Sequence, residues 1–181
     1  MFFLNFSDRR TGNCGSIAAF CAQMQGGRAV DIPEIFARGC GACQTECFQK
    51  DGVCPLPDAP AITALYEAIT EQGACFIVPN YCDWPCSNFL RFCERGCGYF
   101  GTGTERAERY LAEKHFIVVS NTNRAHFEEI FSEHVPSANS PHILFLSAAA
   151  YHRVSLRGDL VEVEEVRAAL RAFFDEPPVK L

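Results

Sequence analysis

The chain has 181 residues, enough to bury a full core in one domain, and its 16 basic against 22 acidic side chains leave a formal net charge of −6. That balance excludes the basic stripe of a nucleic-acid-binding face, and no apolar run reaches the length of a membrane span. The 11 cysteines are the unusual part of the composition, and all fall within the first 97 positions.

The start, "MFFLNFSDRR", lacks the charged opening, long apolar stretch and small-residue cleavage site of a secretory leader. A cytoplasmic location is therefore expected, where thiols stay reduced. In chain order, "FFLNF" (2–6) reads as a short buried strand. Ile17, Phe20, Cys21 and Met24 then recur at helical spacing and stop at Gly26-Gly27. "RAVDI" (28–32) is a second strand, followed by a cysteine-rich loop at 39–54. Asp58 is placed to cap a helix whose apolar face is Ile62, Leu65, Tyr66 and Ile69.

"ACFIVP" (74–79) is a third strand. Cys86, Phe89, Leu90, Cys93 and Cys97 share one face of the helix after it. "HFIVVS" (115–120) is a fourth strand, with Phe127, Ile130 and Phe131 marking the next helix. "HILFLS" (142–147) is a fifth. Val163, Val166, Leu170 and Phe173 mark a closing helix that ends at Pro177-Pro178. Strands alternating with helices predict an α/β fold, a parallel sheet covered on both faces. No linker or repeat divides residues 1–181, so one domain is expected.

Ligands of such sheets bind beyond the carboxyl ends of the strands, where the strand order reverses. That directs attention to residues 7–16, 79–87 and 120–124. "SDRRTGNCGS" (7–16) joins strand to helix with two glycines, hydroxyls, an amide and two arginines, a composition suited to seating a phosphate on a helix N-terminus. It is neither a Walker loop nor G-x-G-x-x-G. The G-x-G-x-x-G at Gly96, Gly98 and Gly101 follows a helix and is set aside.

Together these loops resemble the flavodoxin-like NAD(P)H-dependent FMN reductases, and especially their iron–sulfur flavoprotein branch. The family's G-S-P-R-x-x-G-N-T loop reads "FSDRRTGNC" here, with Phe6 for Gly, Asp8 for Pro and Cys14 for Thr. Its S-P-V-Y-F…S…L-K-x-F-x-D-R segment reads "VPNYCDWPCSNFLRFCER", matching at Pro79, Tyr81, Ser87, Leu90, Phe92 and Arg95. The resemblance covers about residues 1–150. It implies a flavodoxin-like three-layer sandwich, a five-stranded parallel sheet of order 2-1-3-4-5 that binds FMN. The phosphate contacts it implies are Ser7, Arg9, Thr11, Gly12, Asn13 and Cys14, the last through its backbone. The flavin ring would meet Pro79, Asn80, Tyr81, Cys82 and Trp84, with Ser120 and Asn121 as a third contact. Family members are commonly dimers or tetramers, so a homodimer or homotetramer is expected. NAD(P)H or a reduced ferredoxin would supply electrons.

Cys40-x2-Cys43-x3-Cys47-x6-Cys54 resembles the run that holds a 4Fe–4S cluster in the iron–sulfur flavoproteins, one residue longer in its middle gap. Four thiolates in one compact loop suit a 4Fe–4S cluster or tetrahedral zinc, and spacing alone does not choose between them. A second set, Cys82, Cys86, Cys93 and Cys97, spans too much helix for one metal. It reads as buried thiols, with a ligand role for Cys93 and Cys97 across a subunit contact as the alternative. His115, His126, His134, His142 and His152 show no metal spacing and are expected to be solvated or capping. Arg157-Gly158-Asp159 is given no functional weight. The expectation is an FMN-dependent oxidoreductase with a 4Fe–4S cluster in the cysteine loop, favoured because a flavin takes single electrons from it, and with zinc as the alternative metal. The alternatives are an FMN reductase without a cluster and a non-catalytic binding module stapled by zinc.

Overall fold

The computed structural model describes residues 1–35, 39–41, 43–44, 46–49, 54–82, 84–100, 115–121, 142–154 and 156–175. Five parallel strands form the sheet: β1 (Phe2–Asn5), β2 (Arg28–Asp31), β3 (Ala74–Tyr81), β5 (His115–Ser120) and β6 (His142–Ser147), in the order β2-β1-β3-β5-β6. A two-residue strand, β4 (Trp84–Pro85), turns back antiparallel on the end of β3. Counted without β4, the parallel strands have the expected flavodoxin-like order 2-1-3-4-5, which puts the reversal point between β1 and β3.

β3 is central and buried from Ala74 to Asn80, as its unbroken apolar run requires in a sheet covered on both faces. Its register with β1 ends at Asn5↔Ile77. Pro79 therefore lies where only β5 is alongside, opposite Val119, and removes no hydrogen bond from the β1 ladder.

The two faces are covered by different helices. α1 (Asn13–Gln25) and the closing helix α5 (Glu164–Asp175) bury Ile17, Cys21, Val166 and Leu170 against Phe3, Ile77, Ile117 and Leu146. The single turn α2 (Glu46–Gln49) lies in the cysteine loop. α3 (Ala59–Gln72) and α4 (Ser87–Phe100) cover the other face, packing Ile62, Tyr66, Phe89 and Phe92 on Leu4, Phe6, Phe76 and Phe116. This layer is mostly aromatic. Phe6 sits edge-on to Phe89 and Phe92, each at 5.3 Å between ring centroids. The Tyr66 hydroxyl donates to the Phe92 carbonyl. α1 stops where expected, because Gly26 takes a left-handed φ of 66° and its N–H closes onto the Ala22 carbonyl.

Several local expectations change. Asp58 stands at the N-cap of α3 but makes no capping bond, because both carboxylate oxygens go to Arg95 of α4. On α4 the buried stripe runs through Cys86, Phe89 and Phe92, with Leu90 and Cys93 half-covered. His115 and His142 are not scattered. They face each other across the β5–β6 register with ring centroids 5.2 Å apart, and His142 stacks on Phe173 of α5. The helix expected around Phe127, Ile130 and Phe131, His126 and His134, the side chain of Cys97, and Pro177-Pro178 lie outside the described residues.

Candidate functional site

Parallel pairing places the carboxyl ends of β1, β3 and β5 at one edge of the sheet, so the loops after them meet there. The loop after β1 is held at its root. Asn5 donates to the Asp31 carboxylate at 2.7 Å, and its amide oxygen accepts the Ser7 N–H at 3.0 Å. Arg10 pairs with Asp31 at 3.8 Å and also with Glu34. The Phe6 carbonyl accepts from Asn88 Nδ2 at 3.1 Å and from the Cys86 thiol at 3.4 Å. Asn88 also donates to the Asp8 carboxylate at 2.9 Å, which turns that charge onto α4.

The turn itself is tight. The Gly12 N–H reaches the Arg9 carbonyl, and the Ser16 N–H reaches the Gly12 carbonyl, opening α1. A Cβ on Gly15 would stand 1.8 Å from the Arg10 carbonyl oxygen, so only glycine allows the chain to fold back this closely. Ser7 is buried, and its hydroxyl accepts the Arg9 N–H at 3.2 Å. Gly12 caps α1 with no side-chain bond, so the first helical N–H groups, those of Asn13, Cys14 and Gly15, have no acceptor within the helix. Arg9 is exposed and, unlike Arg10, has no ion-pair partner among the described residues.

Two of the expected contact residues present backbone and not side chain to the loop. The Asn13 side chain turns away to the segment after β6, donating to the Val154 carbonyl at 3.4 Å and accepting the Leu160 N–H at 3.1 Å. The Cys14 thiol is buried in the α1 core with Ile17 and Ala18. Both residues face the loop with backbone N–H only.

The wall opposite is the end of β3. Pro79 is buried within the strand and does not reach the crevice surface. Asn80 donates to Ser120 Oγ at 3.2 Å, tying β3 to the end of β5, while its buried Oδ1 has no hydrogen-bond partner among the described residues. Tyr81 and Trp84 are paired across the β3–β4 turn and remain 44% and 52% exposed. Cys82 between them takes a left-handed φ of 51° and is exposed. Burial holds the Tyr81 phenol above its ordinary value, against the opposing influence of the nearby Ser7 side chain. Ser120 is buried at the end of β5 and Asn121 follows it, exposed.

The thiols near the loop are not nucleophiles. Burial raises Cys14 far above its ordinary value, with Cys86 adding to the shift. Burial likewise pushes Cys86 up to about 12, against backbone hydrogen bonds at Phe89 and Asn88. Both are neutral at physiological pH. At pH 8, mass-mapped alkylation of the native protein should label exposed Cys40 and Cys82 first. Cys14, Cys21, Cys75 and Cys86 should react at least about a hundredfold more slowly until denaturant is added.

The cysteine loop presents a different picture. Cys40 is exposed, Cys43 and Cys47 are buried, and half-buried Cys54 accepts a hydrogen bond from Arg95 at 3.6 Å. Among the described residues no three Cys, His, Asp or Glu side chains are gathered as metal ligands. The donor chemistry of Cys40, Cys43, Cys47 and Cys54 suits a metal, but their arrangement here does not form a cage.

Sequence reasoning missed Asn5, Asn88 and the stretch after β6. This stretch turns back at His152 (φ 54°), carries a 3.8 Å Arg153–Asp159 ion pair and runs past the start of α1. Its one legible mark was Gly158, lodged between charged residues. Among the described residues no helix is long and apolar enough to cross a membrane.

No family model matches the chain. No curated protein matches it in sequence. Among solved structures, a flavone reductase overlays 96% of this chain and 60% of its own length, at a TM-score of 0.49 and 15% identity. The chain thus spans three-fifths of that protein. Its assignment to the flavodoxin-like α/β class rests on its own strand order.

Proposed function

We propose that the protein is an FMN-dependent oxidoreductase. The observation that supports this best is the convergence, at the β1/β3 reversal point, of a helix N-terminus with free N–H groups and two exposed aromatic rings. The donor set fits the cofactor. A phosphate dianion would be received by the N–H groups of Asn13, Cys14 and Gly15, the hydroxyls of Ser7 and Thr11, and the unpaired Arg9 cation. Tyr81 and Trp84 offer flat apolar faces to a flavin ring, and the unsatisfied Oδ1 of Asn80 is an acceptor for a ring N–H. Cys82, Ser120 and Asn121 complete the rim. Flavin, when bound, supplies the hydride and single-electron chemistry. The chain's part is to fix the phosphate and keep one ring face against the β3–β4 turn. NAD(P)H or a reduced ferredoxin is the proposed electron source.

Trp84 is the chain's only tryptophan and is exposed at this wall, so its fluorescence reports ring binding directly. Titration with FMN should quench it with a dissociation constant of about 1 μM or tighter. Protein that is purified without flavin and shows no quenching by FMN up to about 100 μM removes the proposal.

The spacing of Cys40, Cys43, Cys47 and Cys54 supports a further reading, a 4Fe–4S cluster or zinc in the loop. Metal binding would then have to draw these thiols together from the arrangement described above. Anaerobic purification followed by iron, sulfide and zinc analysis decides it, and protein free of all three rejects it.

A further inference from the structure

The segment between β6 and α5 makes none of the contacts expected of a flavin site, yet it is built against the phosphate loop at three points. Asn13 spends its whole side-chain amide on it, one bond to the Val154 carbonyl and one from the Leu160 N–H. Gly158 lies so close that a Cβ there would stand 2.3 Å from the Thr11 carbonyl oxygen and 2.8 Å from Ser16 Oγ. Its φ of 72° is left-handed, so close approach and backbone conformation both demand glycine. Thr11 and Ser16 flank the N–H groups at the start of α1.

The residues of this loop from Asp8 to Thr11 are exposed; Asp8 and Arg10 are anchored by Asn88 and by Asp31 and Glu34, while the Thr11 end is backed by the segment after β6. A phosphate arriving at a mobile loop must meet the cost of ordering it, whereas one arriving at a fixed loop does not. We propose that residues 148–154 and 156–160 act as a clamp that fixes the phosphate loop, with Asn13 and Gly158 as positioning residues that select flavins bearing a phosphomonoester. The inference rests on the FMN reading above and assigns a role to a segment which that reading leaves unused. The clamp touches the phosphate loop and not the β3–β4 wall. Its loss should therefore weaken recognition of the phosphate and spare recognition of the ring.

The test compares FMN with riboflavin, which has the same ring and no phosphate, using Trp84 fluorescence on the full chain. Wild type should bind FMN more tightly than riboflavin. In Gly158→Ala the methyl group must push the Thr11 carbonyl away. FMN affinity should fall about tenfold or more, while riboflavin affinity changes by less than about threefold. Asn13→Ala, which keeps the backbone N–H and deletes both bonds to the segment, should shift the same ratio in the same direction. It decides the matter should Gly158→Ala fail to fold by circular dichroism. An FMN-to-riboflavin ratio that stays at the wild-type value in a folded variant overturns the clamp while leaving the FMN site intact. Wild type that binds neither flavin overturns the FMN reading and the clamp with it.

Discussion

Asp58→Ala should be among the most destabilising single substitutions in the chain, lowering the free energy of unfolding by about 3–5 kcal/mol. Arg95 lies on α4 with its side chain only 2% exposed, and its charge is balanced by a bidentate pair to Asp58 at 2.8 and 3.1 Å. Burial works against that charge, but the Asp58 carboxylate and then Cys54 outweigh it, and the guanidinium is held above its ordinary pKa. Removing Asp58 deprives a buried cation of the bidentate carboxylate that balances it among the described residues. The loss comes from that charge and not from a missing helix cap, since Asp58 makes no capping bond. Replacing both partners, Asp58→Ala with Arg95→Met, should therefore recover most of it. Urea unfolding of the two variants checks this, and a double variant as unstable as the single one would reject the account.

Phe6→Ala should cost a similar amount, about 3–5 kcal/mol, for a different reason. Phe6 is fully buried and edge-on to two rings, so truncation opens a cavity among aromatics that rigid neighbouring rings cannot easily fill. Because the Phe6 carbonyl also anchors Asn88 and Cys86, the shift should reach the β1–α1 loop, the proposed phosphate seat. The urea midpoint and the FMN titration should deteriorate together. A loss below about 1 kcal/mol would mean that the layer re-packs around the gap.

The fold was largely legible because parallel strands buried on both faces leave continuous apolar runs, as at Phe76-Ile77-Val78 and Ile117-Val118-Val119. The helices were legible through periodicity and glycine stops. Local rules failed where a distant residue competed for the same group. Asp58 reads as a cap until Arg95, 37 positions later, takes its carboxylate. The side-chain amide of Asn13 reads as open to a ligand until Val154 and Leu160 take it, leaving the backbone N–H. The β4 strand was missed because a two-residue element carries no periodicity. Its turn uses Cys82 in a conformation that would ordinarily announce itself as glycine or asparagine. The candidate crevice was found from position alone, as the end of the strands beside the reversal point. Its third wall was not, because contacts that join residues so far apart leave no local pattern.

Those same contacts order events in time. The bonds from Asn13 bridge 141 and 147 positions of sequence, among the longest separations in the molecule. During synthesis the β1–α1 loop and the β3–β4 turn have emerged once α4 has left the ribosome, but Val154, Gly158 and Leu160 have not. Contacts of such long range form late, after the loop-closure entropy has been met. Under the proposed reading, selectivity for the phosphomonoester therefore arises only after residues 156–160 have emerged, whereas recognition of the ring does not wait for them.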